Sequence, residues 1–386
     1  MKVLYILHSS IMGGATISFL NLLTGIKLKG VDTYVIINKE IDDDKFNTVL
    51  NKNGIPFYRA IIVKSVITRK KTLRGMGSFV KQYCILTLKI IKSRKDIKRI
   101  CQKIKPDIIH SNTGVVHEGF WVAKKLHIPH VWHLREYQTK DFNWFIYPSK
   151  KFFCSELLKS YVITITNDIK AYFKLNSSLK AFTINNGIFN RGKTFPVVKK
   201  ENYFILCSRV SPEKGHEEAI RAFSCFSRKS EYKLIVAGFG DPFYVSYLND
   251  LAKSLDCSDQ VKFVGFYEEV VDLLSKAKAL LVPSYYEGFG RMTAEAAFCG
   301  TIVIGRDTGG TKEIINKTRG GYLFSTTEEF TAKMELIASL SAEEYINITE
   351  TARQIAKESY SIEENVNQIF SLYSHILYGE KQIFHV

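Results

Sequence analysis

The sequence predicts an α/β chain made of two doubly wound parallel-sheet domains, and three observations carry that prediction. Short apolar runs recur along all 386 residues, and segments of helical period separate them. Glycine-rich turns (Gly13-Gly14, Gly238-Phe-Gly240, Gly288-Phe-Gly290, Gly309-Gly310) sit at or just beyond the ends of those runs. That is where a parallel sheet presents its ligand. The length also suits two domains rather than one.

Taken in order, the first domain spans 1–189. Its expected strands are 2–7, 33–38, 107–110, 130–134, 151–154 and 162–166, and it closes near 182–188. The polar stretch 190–202 reads as a linker. The second domain, 203–361, has expected strands at 203–208, 233–240, 261–266, 279–283 and 301–305, each apolar and each ending in small residues. A final apolar-periodic segment begins at Ile362.

The most informative stretch is Ser284-Tyr-Tyr-Glu287-Gly288-Phe289-Gly290-Arg291-Met292-Thr293-Ala-Glu295-Ala296. An apolar strand leads in, and an alanine-rich helix leads out and stops at Cys299-Gly300. The turn places free N–H groups and the positive end of a helix dipole at a strand's carboxyl end, a setting that suits phosphate. Glu287 lies before the turn and Glu295 one to two helical turns after it. The pair can reach opposite ends of an elongated ligand such as a sugar nucleotide; the alternative is two solvated carboxylates on a strand-loop-helix. Upstream, Arg209 and Lys214 lie five residues apart on another strand-exit loop, where they can clamp a diphosphate, Arg as a fork and Lys as a point charge.

Arg209…Lys214-Gly215, Glu287-Gly-Phe-Gly-x4-Glu295 and Gly309-Gly310…Glu313 together resemble the donor half of family 4 (group 1) glycosyltransferases, retaining enzymes of GT-B architecture. Gly13-Gly14-Ala15 resembles that family's first loop, and Val131-Trp-His133-Leu-Arg-Glu-Tyr137 its catalytic-histidine segment. Thr301 and Lys312 depart from the usual pattern without touching the inferred chemistry. The resemblance implies two facing Rossmann-like domains with the active-site cleft between them, and a terminal helix, about 362–386, that packs back on the first domain. It also implies a nucleotide-sugar donor, UDP- or GDP-linked, no metal and no other cofactor. By resemblance, His133 touches the sugar or phosphate, with a core histidine beside Trp132 as the alternative reading. Glu287 is the second catalytic candidate, contacting sugar hydroxyls. Donor binding falls to Gly13, Gly14, Arg209, Lys214, the run Gly288 to Thr293, and Glu295, the last holding the ribose diol.

Composition narrows the remaining classes. The net charge of +16 is concentrated in the first domain, most of all in 64–105, where fourteen Lys and Arg face only Asp96. Apolar residues interleave there at helical spacing (Phe79, Tyr83, Leu86, Leu88, Ile90, Ile91, Ile97, Ile100). Two readings stay open: a basic amphipathic face lying on an anionic membrane, or a core-packed helix with a solvated basic side. Nucleic-acid binding is disfavoured, because no glycine-aromatic RNA-binding signature or zinc-finger spacing occurs. Seven cysteines, odd in number and without a Cys-x-x-Cys pair, fit a reduced cytoplasmic chain. The amino terminus is too short in apolar residues for a signal peptide, and no run is long enough to span a bilayer. Asp42-Asp43-Asp44 contains Asp-x-Asp, the metal motif of a different glycosyltransferase fold, but here opens a helix and reads as structural.

The expected function is metal-independent, retaining transfer of a hexose-type sugar to a saccharide or lipid-linked acceptor in surface-polysaccharide assembly. The enzyme would be cytoplasmic or peripheral on the membrane's inner face. The alternatives are another GT-B reaction, by a phosphorylase or sugar-nucleotide epimerase, and a non-catalytic partner subunit.

Overall fold

The computed structural model describes residues 1–41, 43–68, 73–140, 144–267 and 270–379, with side chains from 79 onward in the helix that begins at Leu73. The chain divides into two units. The first comprises residues 1–187 together with the carboxyl-terminal segment from Ile362, and the second is Ile188–Ser361. The expected linker 190–202 thus falls inside the second unit, and its last two residues already belong to a strand.

The first unit opens β1 (Lys2–Ile6), α1 (Gly14–Leu28), β2 (Asp32–Asn38), α2 (Asp44–Lys52), β3 (Phe57–Ala60) and β4 (Val66–Thr68). It continues with α3 (Leu73–Ile104), β5 (Ile108–Ser111), α4 (Glu118–Leu126), β6 (His130–Leu134) and β7 (Trp144–Ile146). Then come α5 (Lys150–Leu157), β8 (Tyr161–Thr164), α6 (Asn167–Tyr172) and β9 (Ala181–Thr183). Seven strands form one sheet in the order β3-β2-β1-β5-β6-β8-β9, every pair parallel, while β4 and β7 form a separate antiparallel ribbon. Strands such as Val3-Leu-Tyr-Ile6 are apolar on both faces because helices cover both.

The second unit contains β10 (Glu201–Cys207), α7 (His216–Ser224), β11 (Lys233–Ala237), α8 (Pro242–Ser254), β12 (Val261–Gly265) and α9 (Val270–Lys276). It continues through β13 (Ala277–Val282), α10 (Arg291–Cys299), β14 (Ile302–Arg306), α11 (Gly309–Thr318) and β15 (Gly321–Phe324). The helices α12 (Thr327–Ser339) and α13 (Ala342–Ser359) close it. Its six strands are parallel in the order β12-β11-β10-β13-β14-β15, so the strand order reverses between β10 and β13. Such a switch point opens a crevice at the carboxyl ends of the strands.

The last helix, α14 (Ile362–Tyr378), belongs to the first unit. Val366, Ile369, Leu372 and Tyr373 join Phe19, Leu23 and Ile26 of α1 in one core. The two helices touch so closely that a Cβ on Gly25 would lie 2.3 Å from Val366 Cγ2.

One expected strand is corrected. Residues 151–154 lie in α5, because Ser149 caps the helix by accepting from the Phe152 amide at 3.2 Å, and burial falls on Phe153, Glu156 and Leu157 at helical spacing. The short strands β3, β9 and β15 carry too few alternating residues to announce themselves. The acidic run behaves as read: Asp43 caps α2 through the Phe46 amide at 3.1 Å and Asp44 sits in the first turn, while Asp42 lies outside the described residues.

Candidate functional site

The exits of β10 and β13 build the site in the second unit. Beyond Cys207 the chain passes Ser208 and Arg209, turns through Pro212-Glu213-Lys214, and enters α7 at Gly215, whose φ is +73°. A side chain there would collide with the Pro283 carbonyl, since an added Cβ would be 2.5 Å from that oxygen. The Tyr285 amide donates to the Glu213 carbonyl at 3.1 Å, so the two strand exits are tied backbone to backbone. Glycine at 215 is therefore demanded by both its backbone angle and this close approach.

Across that seam, Lys214 Nζ lies 2.8 Å from Glu287 Oε2, and both side chains are about three-quarters buried. Arg209 pairs instead with Glu213 and is largely exposed. Gly290 adopts φ +86° and caps α10 without a side-chain bond, leaving the first-turn amides of Arg291, Met292 and Thr293 without helical acceptors. Arg209, Lys214, Glu287, Gly290, Arg291 and Thr293 all line one cavity of about 210 Å³. Three cationic side chains and a positive helix end thus converge on one small space, a field that attracts a polyanion.

Two expected contacts are arranged differently. Glu295 does not line that cavity; it is 6% exposed, and Arg291 Nε holds its Oε1 at 2.7 Å. Burial pushes its carboxyl pKa up, and Arg291 opposes the rise. Phe289 points into the protein against Tyr360, with ring centroids 6.0 Å apart. Its backbone also packs tightly, because the Phe289 carbonyl lies 2.1 Å from where a Cβ on Gly310 would be.

In the first unit, Gly13 caps α1 with φ −170°, an angle open to any residue, and a Cβ there would meet nothing within 4 Å. The fold itself does not require glycine at 13. His133, at the end of β6, is fully buried. Its Nδ1 lies 3.2 Å from His110 Nε2, and His110 Nδ1 lies 2.6 Å from the Tyr373 hydroxyl, which donates to Tyr5 at 3.0 Å. The hydroxyl's single proton goes to Tyr5, so it accepts from His110 Nδ1–H. His133 Nδ1 thus faces both His110 Nε2 and, at 3.4 Å, the Arg135 guanidinium, which can only donate to it, while His133 Nε2 is buried with no partner among the described residues. Arg135, bonded to Asn112 and Asn186, stands beside the pair. Burial first, then the Arg135 charge, hold both histidines well below the usual imidazole pKa.

Because these imidazoles stay neutral when folded, the unfolded chain takes up protons below about pH 6.5 that the folded chain refuses. Their contribution to stability is complete above that pH and is lost as pH falls. Buried Glu118, pushed up to about 7 by burial, acts in the opposite sense, favouring the folded state at low pH and losing that as pH rises through 7. The expected result is a melting temperature whose acid-side slope between pH 6.5 and 5 is shallower in His133→Gln than in the parent. Equal slopes would mean the imidazole protonates in the folded state.

Residues 191–360 match the family described as glycosyl transferases group 1. This chain carries a group 1 glycosyl transferase domain. The chain resembles N-acetyl-alpha-D-glucosaminyl L-malate synthase of Bacillus anthracis, at 29% identity over 190 residues, 49% of each chain. It is also similar to the GDP-Man:Man(3)GlcNAc(2)-PP-Dol alpha-1,2-mannosyltransferase of Xenopus laevis, at 29% identity over 40% of this chain and 35% of that one. The alignments therefore span half or less of these curated relatives. Among solved structures, Anabaena HepE in complex with UDP and glucose matches with TM-score 0.75 at 20% identity, covering 97% of this chain and 99% of that one. The shared fold is GT-B.

The fold brings in residues that sequence reading passed over. Arg306 donates to the Pro283 carbonyl at 3.0 Å, pairs with Glu218, and lies 4.3 Å over the Tyr285 ring, which fixes the β13 exit. Glu213 accepts from Ser211 at 2.7 Å and from Arg209, so it sets where that cation rests. An arginine ending a buried strand was the only signal for the first; nothing distinguished the second.

Proposed function

We propose that the chain moves a hexose-type sugar from a UDP- or GDP-linked donor to a saccharide or lipid-linked acceptor, with retention and without a metal ion. The observation that carries this reading is the convergence of Arg209, Lys214 and the α10 amino terminus on one cavity at the β10/β13 switch point.

Breaking the bond from the anomeric carbon to the diphosphate builds negative charge on the leaving phosphate and positive charge on the ring. Lys214, Arg209 and the amides after Gly290 stabilise the first with fixed charges and dipoles, the electrostatic work a metal does elsewhere. Glu287, now paired with Lys214, is freed to meet sugar hydroxyls when the phosphate takes over the ammonium. Glu295 stays behind Arg291 and orients it toward the donor. His133, neutral when buried and with Nε2 unpartnered, meets the sugar or the phosphate. Phe239 and Phe266, exposed and stacked 5.7 Å apart at the exits of β11 and β12, offer a face to the base. Acceptance of a lipid-linked saccharide accords with the acceptor in the Xenopus laevis relative's name, and with the basic segment 64–105 the chain would act peripherally on the cytoplasmic leaflet.

A thermal-shift screen of UDP, GDP, ADP and CMP tests the donor site. At about 100 times its dissociation constant the right nucleotide stabilises by about 2.7 kcal/mol. The expected result is a shift with UDP or GDP that EDTA does not change and that Lys214→Ala and Glu295→Ala both lose. No shift with any nucleotide overturns the proposal.

A further inference from the structure

The long helix α3 carries two apolar faces. One, with Leu86, Ile90, Ile97, Cys101 and Ile104, is buried in the first unit. The other is not: Val80 is 62% exposed, Leu88 69% and Ile91 60%. At 3.6 residues per turn, Val80, Leu88, Ile91, Lys95 and Lys98 fall on one narrow stripe. Its amino-terminal half is apolar and its carboxyl-terminal half cationic. Of the two readings left open for segment 64–105, the core-packed helix describes the buried face of α3, and the exposed face is the one a membrane would meet; Arg69, Lys70 and Lys71 lie outside the described residues.

The cationic half borders a groove of about 660 Å³ between α3 and α4. Arg94, Lys95 and Lys98 line it from α3, Trp121, Lys124 and Lys125 from α4, and no acidic side chain lines it. The groove has a rigid wall. Arg94 lies 4.8 Å over the Trp121 ring, Lys124 lies 5.6 Å from it, and Phe152 stacks on it at 6.2 Å. Beneath, a second cavity of about 190 Å³ shares Arg94 and Trp121. Arg94 also acts electrostatically on the buried carboxyls Glu118 and Glu156, which draw its guanidinium against the Trp121 ring and the protein beneath it. No ion pair engages Lys95, Lys98, Lys124 or Lys125 among the described residues.

We propose that this α3–α4 groove seats the phosphate of an anionic lipid headgroup while Val80, Leu88 and Ile91 enter the same leaflet. The inference deepens the membrane-side reading above, but it needs no sugar transfer to be true. A free phosphate would satisfy the cations and leave the apolar stripe in water; only a lipid surface serves both halves, with its negative charge opposite the lysines and its acyl boundary opposite the stripe. Among the described residues no helix is long and apolar enough to cross a membrane, so the contact is with the surface.

The test is co-sedimentation of the full chain with phosphatidylcholine vesicles with and without phosphatidylglycerol. The expected result is pelleting with the anionic vesicles only. Lys98→Gln with Lys125→Gln should weaken it about thirtyfold, from about 1 kcal/mol for each cation near the surface. Leu88→Ser with Ile91→Ser should weaken it at least as much, because the stripe then has nothing to bury. Lys233→Gln with Lys262→Gln, exposed in the second unit, should leave it unchanged. All three variants should melt as the parent does and keep its nucleotide shift. Failure to pellet overturns the proposal, and so does equal loss in the second-unit pair, which would mean diffuse attraction. Parent-like binding by the serine variant together with competition by inorganic phosphate would make the groove a site for soluble phosphate and also overturn it. Vesicle binding without any nucleotide shift would sink the sugar-transfer reading and leave this one standing.

Discussion

Lys214→Ala is expected to lower the turnover of sugar transfer by about a hundredfold to a thousandfold, the cost of losing one fixed donor from a developing oxyanion. The effect has two parts. The ammonium that would meet the leaving phosphate disappears, and Glu287, about three-quarters buried and 2.8 Å from that ammonium, is left without its cation. A carboxylate so placed repels the incoming diphosphate, so KM for the donor should rise along with the fall in kcat. Glu287→Gln removes the repulsion and keeps Lys214 charged. The double variant therefore separates the parts: donor affinity partly recovers relative to Lys214→Ala, while kcat stays low. Steady-state kinetics of the four proteins form the cycle. If the losses simply add, Lys214 and Glu287 act independently and the pair is only a resting-state contact.

The second large effect is on stability. Gly238→Ala should destabilise the second unit by about 3–5 kcal/mol, the range of severe steric and backbone strain. Gly238 has φ +153°, and an added Cβ would sit 1.8 Å from the Ser208 carbonyl oxygen. Neither atom has room to retreat. The Gly238 amide donates to Gly265 at 2.7 Å, and the Ser208 amide donates to Ala237 at 3.1 Å, so the β10 and β11 exits are locked together. For a unit of this size the melting temperature should drop by about 10 °C. Gly13→Ala is the contrast. Its Cβ meets nothing and its backbone angle is unrestricted, so melting should not change. Lost turnover with unchanged melting would assign that glycine to substrate; lost melting would show the α1 cap is tighter than its open surroundings indicate.

Much of the fold was legible because its signals are local. Runs such as Phe204-Ile-Leu206 and Leu280-Leu-Val282 are apolar on both faces, which parallel sheets demand and few other settings allow. The turn Gly288-Phe-Gly290 marked the start of α10 because a left-handed cap at Gly290 needs glycine. The segment 151–154 misled for the same reason. Phe152-Phe153 carries strand-like apolarity, and the Ser149 cap that outweighs it is one hydroxyl. Site chemistry was legible as residue types and less so as contacts. Arg209 and Lys214 were read as a joint clamp, yet each rests against a different carboxylate. Glu295 was read as a direct ligand contact; the fold adds that its carboxylate is bonded to Arg291 and lies outside the cavity lining.

By itself, the sequence determined two parallel α/β sheets, the loops at their carboxyl ends, and the presence there of cations and a helix amino terminus. Each follows from residues within a few positions of one another, where periodicity and glycine angles act. Only the tertiary structure decided which charges meet. Lys214 and Glu287 are 73 positions apart, and His110 reaches Tyr373 across 263, so no local pattern encodes either contact. The same holds for His133. Its unpartnered Nε2 and its neutrality come from burial among β5, β6 and α14, where low dielectric and the Arg135 charge disfavour the imidazolium.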